Sequence, residues 1–165
     1  MTIPLSFPSF EIDGRFNRDA FILAADLDRL GFDIRSFKEP LTKSVKQVII
    51  PSIRENFESG GRPDWEQLAV ATIATRLRQG YGIWPPLTKT EALKKKATAI
   101  GIWTIDRQSA IMNEPRIKYA KYHQTGTGKM PQRAFAMIQS EDEDRVETIF
   151  RLWLEERIAK YYARG

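Results

Sequence analysis

Residues 97–113 read ATAIGIWTIDRQSAIMN. From Ala97 to Ile105 the side chains alternate between two faces. Ile100 and Ile102 share one, and Ala99, Trp103 and Ile105 share the other. A period of two is the mark of a strand. Asp106-Arg107-Gln108 then supplies turn residues, and Ser109 to Asn113 returns as the partner of a hairpin. This stretch decides the fold class, because the strongest patterns on either side of it are helical. Helices, then antiparallel strands, then a helix predict an α+β domain.

On the C-terminal side, 134–138 is a further strand candidate for the same small sheet. Ser140 and Glu143 follow with the spacing of a capping box, in which each side chain satisfies a free backbone donor of the other. Glu141, Asp142, Glu143 and Asp144 suit the positive end of a helix dipole, and Arg157, Lys160 and Arg164 suit the other end. Val146, Ile149, Phe150, Trp153, Leu154 and Ile158 fall on one stripe, so a long terminal helix is expected.

On the N-terminal side, a helix starts near Pro40, with Leu41, Val45, Val48, Ile49, Ile53 and Phe57 as its apolar stripe. Pro51 interrupts the pattern and predicts a kink. Residues 59–63, Ser-Gly-Gly-Arg-Pro, end the helix. Asp64 can cap a short helix carrying Trp65, Leu68, Ala69 and Thr72 and continuing to Leu77. Gly80 to Pro86 is a break. Lys89 to Lys96 reads as one basic helical turn or a loop, and Lys118 to Tyr122 as a strand or short helix. Residues 1–10, with Pro4 and Pro8 among aromatics, read as an extended arm. Phe10 to Asp13 follows as a short strand, and Asn17 to Leu30 as a helix closed by Gly31.

The 165 residues suit a single domain, 1–165, with a full core. There is no cysteine, so disulfides, thiolate chemistry and cysteine zinc sites are excluded. The N-terminus lacks the pattern of a signal peptide, and no apolar run approaches the ~20 residues of a membrane span. Cytoplasmic synthesis and no membrane partner are therefore expected. The net charge of +5 is unevenly spread. Residues 61–135 carry 13 basic and 5 acidic side chains, whereas residues 1–60 carry 8 and 9, and residues 136–165 carry 5 and 7. A basic middle can meet a polyanion, or it can be a solvated lysine-rich surface.

Residues 119–133, YAKYHQTGTGKMPQR, hold the one histidine, His123, and a Gly126-Thr127-Gly128-Lys129 run. A phosphate loop would need glycine at position 123 and a hydroxyl after the lysine, but His123 and Met130 stand there. A strand should precede it and a helix follow, yet Pro131 comes next. The run is thus a glycine turn with an exposed lysine. His123 as a general base lacks a carboxylate nearby in sequence, since no acidic residue lies between Glu114 and Glu141. No metal-ligand spacing is present, and no cofactor is expected. Lys94, Lys95, Lys96, Lys129 and Arg133 can bind phosphate without reading sequence. Trp84, Trp103, Tyr119 and Tyr122 can stack on bases, although the strand pattern places Trp103 in the core.

Taken together, Tyr119, Ala120, His123, Gln124 and Gly126, then Pro131, Arg133 and Phe135, then Glu141 to Asp144 resemble the phage virion morphogenesis family. These are the tail-completion or neck proteins of tailed phages, including Mu-like ones. Phe57, Gly60, Gly61, Pro63, Trp65, Leu68 and Thr72 fit the family's upstream pattern. Leu87, Thr90 and Leu93 fit a further stretch, in which Glu91 replaces the family's glycine. The resemblance covers about residues 40 to 155. It implies a structural virion protein and not an enzyme: a ring, often of six copies, at the head–tail junction around the DNA path. The partners it implies are copies of itself, neighbouring connector and tail tube or sheath proteins, and genomic DNA bound without sequence preference. Under that reading Lys94, Lys95, Lys96, Lys129 and Arg133 are candidates to face the channel. His123, Gln124, Gly126 and Gly128 form a structural turn between strands, where Gln124 or His123 bonds backbone. Phe7, Phe10 and Trp153 are candidate subunit contacts. A small basic nucleic-acid-binding protein, or a head-completion or stopper protein of the same virion, is the alternative.

Overall fold

The computed structural model describes residues 36–163. The expected arm over 1–10, with Phe7 and Phe10, the strand near 10–13 and the helix over 17–30 lie outside the described residues.

Helix α1 (Lys38–Ser44), a π-helical turn (Val45–Ile49) and α2 (Ile50–Ser59) follow one another without a break. All six residues of the predicted stripe, from Leu41 to Phe57, are buried. Pro51 has no N–H to donate, and its ring crowds the turn before it. The wider π turn takes up that irregularity, with the Ile50 N–H bonded to the Val45 carbonyl. Gly60 ends α2 at φ +86°, and the Gly61 N–H reaches back to the Asn56 carbonyl at 2.8 Å. A β-carbon on Gly60 would also lie 2.1 Å from the Trp84 ring, so backbone and packing both demand glycine there.

The helix predicted from Asp64 starts later. Helix α3 is Val70–Arg78. Trp65 is drawn into the core, edge-on to Phe57 at 5.8 Å, and the carbonyls of Glu66 and Gln67 accept from Arg133 instead of from a following turn. The peptides before Pro63 and Pro85 are cis.

Helix α4 (Ala92–Ala97) buries Leu93 and Ala97, one turn apart, and so extends into the stretch predicted to begin a strand. A 3₁₀ turn over Ile100–Ile102 follows. The hairpin is therefore shorter than 97–113: β1 (Trp103–Ile105) pairs antiparallel with β2 (Ala110–Met112), Trp103 opposite Met112 and Ile105 opposite Ala110. Asp106 builds the turn by accepting from the N–H groups of Gln108 and Ser109, each at 2.7 Å. The sheet has these two strands only among the described residues. The class is α+β, but 134–138 is irregular chain with a bend at Ala136 and not a third strand.

Helix α5 (Ala120–Thr125) precedes the long terminal helix α6 (Ser140–Tyr162). Val146, Ile149, Phe150, Trp153 and Leu154 of α6 are buried, and the helix packs across α1 and the π turn. The Phe37 ring sits 5.6 Å from Trp153 and 6.0 Å from Phe150. The cap at its start is one residue out of the predicted place and is one-sided, since the Gln139 side chain donates to the Arg62 carbonyl instead. Asp142, not Glu143, reaches back, and its Oδ2 accepts from the Gln139 N–H at 3.1 Å. Asp142 is buried and accepts from the Ser52 hydroxyl as well, which ties α6 to α2. Because α2 packs on that side, burial selects Asp142 from an otherwise exposed acidic run.

Candidate functional site

The 119–135 motif is where the chain is most tightly organised. Helix α5 ends at Gly126, φ +73°, where a β-carbon would meet the backbone of Gln132 at 3.0 Å. The chain then makes a tight turn. The Thr127 N–H bonds the Met130 carbonyl at 2.8 Å, and Gly128 and Lys129 form its tip. The turn joins a helix to an irregular segment, not two strands.

Gln124 is 5% exposed and holds that segment at its bend by its side chain alone. Its Oε1 accepts from the N–H groups of Phe135 and Ala136 at 3.1 and 3.0 Å, and its Nε2 donates to the Ala136 carbonyl at 3.1 Å. Asn56 of α2 donates from the other side to the carbonyls of Phe135 and Met137 at 3.0 and 2.9 Å. The Trp65 Nε1 donates to the Ala134 carbonyl at 3.2 Å. Three side chains thus stand in for neighbouring strands, and the pairing that a sheet would supply is met without one. Phe135 is pressed by this into the core, 5.4 Å from Phe57. Arg62 continues the network, donating to Asn56 Oδ1 at 2.9 Å and to Ser52, with Glu55 and Glu141 at its outer side.

Beside the motif lies a groove of about 860 Å³. Its walls are the 66–70 segment with α3, the Pro86–Thr90 loop, α5 and the Lys129–Arg133 chain. Two guanidiniums form its base. Arg133 is 4% exposed and donates to the carbonyls of Glu66 and Gln67 at 2.9 and 3.0 Å. Arg76 is equally withdrawn and donates to the carbonyls of Gly82 and Pro86. Neither has a carboxylate within ion-pair distance among the described residues. Burial weakens the hold of both on their protons. For Arg133 the Glu66 carboxylate opposes that effect, and Arg76 adds to it. Both stay cationic, since guanidinium starts so high. His123 lies on the same wall, its ring edge-on to Tyr119 at 5.7 Å and its Nδ1 without a hydrogen-bond partner. Burial, and then the charge of Arg133, push its pKa below the ordinary histidine value. A neutral imidazole with no carboxylate beside it is poorly arranged for general-base work. The groove is instead suited to hold an anion or a carboxylate.

The other sequence-predicted residues fall apart from one another. Arg133 is buried and tied to backbone, so it is not a surface phosphate ligand; its planar fork fits two adjacent carbonyls, and that use withdraws it. Lys94 pairs with Glu58 at 3.0 Å, Lys95 lies 3.9 Å from Glu91, and Lys96 and Lys129 are exposed. Trp153, expected at a subunit contact, is used inside the chain: its ring packs on Phe37 and its Nε1 donates to Glu39 at 3.2 Å. Trp84, Tyr119 and Tyr122 are exposed, whereas Trp103 is buried. Among the described residues no group of three His, Asp or Glu is placed to hold a metal ion, and no helix is long and apolar enough to cross a membrane.

Three residues central to this arrangement escaped the sequence reading: Asn56, Arg62 and Arg76. Asn56 had a signal, since a polar residue at a buried position of the α2 stripe must find internal partners. Arg76 had none, because α3 is inverted: it buries its arginine and exposes Val70 and Leu77.

No family model matches the chain, and no solved structure matches it. A curated protein does. The Mu-like prophage FluMu G protein 2 of Haemophilus influenzae is 31% identical over 130 residues, which span 73% of this chain and 80% of that protein.

Proposed function

Because the chain belongs to the family of this Mu-like prophage G protein, we propose that it is a structural virion protein of the head–tail junction. It acts as a tail-completion or terminator subunit. Copies form a ring, of six in the simplest case, that joins the connector to the tail tube or sheath around the DNA. It is not an enzyme and uses no cofactor.

One observation carries this reading. The residues on which the family resemblance rests, Gln124, Arg133 and Phe135 above all, are turned inward to fix backbone and core. A motif used in that way supports a scaffold whose product is a shape. Residues that shape chemistry would present their polar ends to a cleft. The exposed Lys96 and Lys129 remain the candidates to face DNA, which would be held by charge and without sequence preference.

The test is mass and shape of the purified protein, by light scattering and negative-stain microscopy, alone and with the phage's tail tubes. A ring, or a monomer that becomes a ring on the tube end, is expected. A monomer that ignores the tube but shifts duplex DNA at low salt would replace this reading with that of a free DNA-binding protein.

A further inference from the structure

We propose that the groove at Arg76 and Arg133 receives the acidic face of helix α6 from a second copy of this chain. The proposal deepens the ring reading and rests on it, and it assigns Lys129 to the subunit contact in place of the DNA channel.

The groove side is cationic and incompletely matched. Lys89 and Lys129 line it together with the two buried guanidiniums; Lys89 donates to Gln79 Oε1 at 2.7 Å and lies over the Tyr81 ring, neither of them an anion, and Glu66 is the one carboxylate on its wall among the described residues. Arg76 and Arg133 have given up their hydration for carbonyl partners alone. Their charge, with no anion bonded to either among the described residues, adds to that of the two exposed lysines and favours carboxylates brought to the rim from outside. The wall is also apolar where water should prefer otherwise. Val70, on the wall at the head of α3, is 82% exposed, and Leu77, two turns on along the same helix and outside the groove's lining, is 61% exposed.

The complement is on the same chain. Glu143, Asp144 and Glu147 are exposed on α6 and take part in no ion pair among the described residues, unlike Glu141, Glu155 and Glu156 further round or along the helix. Leu152, at 49% exposed, continues the ridge of Asp144 and Thr148 at intervals of four. Acid followed by an apolar residue along one helix face matches cations followed by apolar α3. The buried stripe of α6 is already engaged with α1 and the π turn, which leaves this face exposed among the described residues. The two surfaces are different patches of one protomer. Their contact is heterologous, the type that propagates from copy to copy and closes into a ring.

Sedimentation velocity on the full chain, across protein concentration and salt, tests this. Two double variants are needed, Glu143→Lys with Glu147→Lys on the helix, and Lys89→Glu with Lys129→Glu on the groove rim. All four positions are exposed, so circular dichroism should show both variants folded. The wild type is expected to self-associate, and each variant alone to do so at least about a hundredfold more weakly. Mixing the two variants should restore association, because each retains the surface the other has lost.

Variants that assemble like the wild type would overturn the groove contact and leave the ring standing. Variants that stay apart on mixing would overturn the pairing of these two surfaces. A wild type that remains monomeric up to millimolar concentration, with or without tail tubes, would overturn the ring reading and this contact with it. Loss of duplex DNA binding in the groove variant, with self-association intact, would assign the groove to phosphate and sink the proposal.

Discussion

Two short non-helical segments of this chain meet the same need in opposite ways. β1 satisfies its backbone through β2, a neighbour five residues away whose bonds need no particular side chains. Residues 134–137 satisfy theirs through Gln124, Asn56 and Trp65, drawn from α5, α2 and the 65–69 segment. A ladder is insensitive to sequence, because every residue but proline carries the same donor and acceptor. A side-chain clamp is the reverse. It works only with an amide of the right length at one position, and it fails all at once when that residue changes. This difference explains why the 119–135 motif reads as a set of fixed residues in a fixed order while the hairpin reads only as a pattern.

The largest expected effect breaks the clamp. Gln124→Ala removes three hydrogen bonds and leaves two N–H groups and a carbonyl buried, a loss of about 3 to 5 kcal/mol. Thr104→Ala in β1, an exposed position that accepts from the Asn113 side chain at 3.0 Å, should cost only about 0.5 kcal/mol. Urea unfolding measures both, and equal costs would erase the contrast. Next in size is the coupling within the clamp. Asn56→Ala should cost about 2 to 4 kcal/mol, since it also deprives Arg62 of a partner. The double variant should cost less than the sum, by about 1 kcal/mol, because a segment already released has less to lose. Strict additivity in the cycle would mean that the two amides hold the segment independently.

The smallest effect is a slope. His123 has its pKa lowered in the fold by burial and by Arg133, so the unfolded chain takes up the proton first as pH falls. The stability owed to the neutral ring is therefore full above about pH 6.5, and it declines as pH drops through the unfolded and then the folded pKa. The melting temperature should fall between about pH 7.5 and about pH 5.5, and His123→Gln should flatten that part of the fall. An unchanged slope in the variant would assign the acid sensitivity to other groups.

The helices show what local pattern can give. The stripes from Leu41 to Phe57 and from Val146 to Leu154 fix two long helices and the faces they bury, since 3.6-residue periodicity is written in consecutive side chains. Gly60 marks the end of one of them for a reason equally local, a left-handed backbone. The hairpin was legible in its turn and its partner but not in its length. Burial of Leu93 and Ala97 extends α4 into the strand pattern, and that burial is a tertiary fact. The candidate site was less legible still. Arg133 looks like any basic residue of a basic segment until Glu66 and Gln67 present their carbonyls to it, and Trp153 looks like a contact residue until Phe37 covers it.

Sequence alone determined the buried faces of the two long helices, the α+β order, the failure of residues 123–130 as a phosphate loop and the basic excess of the middle segment. Each depends on residues near one another in the chain, or on a plain count. Tertiary structure alone decided that 134–138 is clamped and not paired, that Asp142 is the acid that caps α6, and that Arg76 and Arg133 come together under one groove. These outcomes depend on which distant groups arrive to satisfy a buried charge or an unpaired amide. That choice is made by packing, across separations of tens of residues that no local pattern spans.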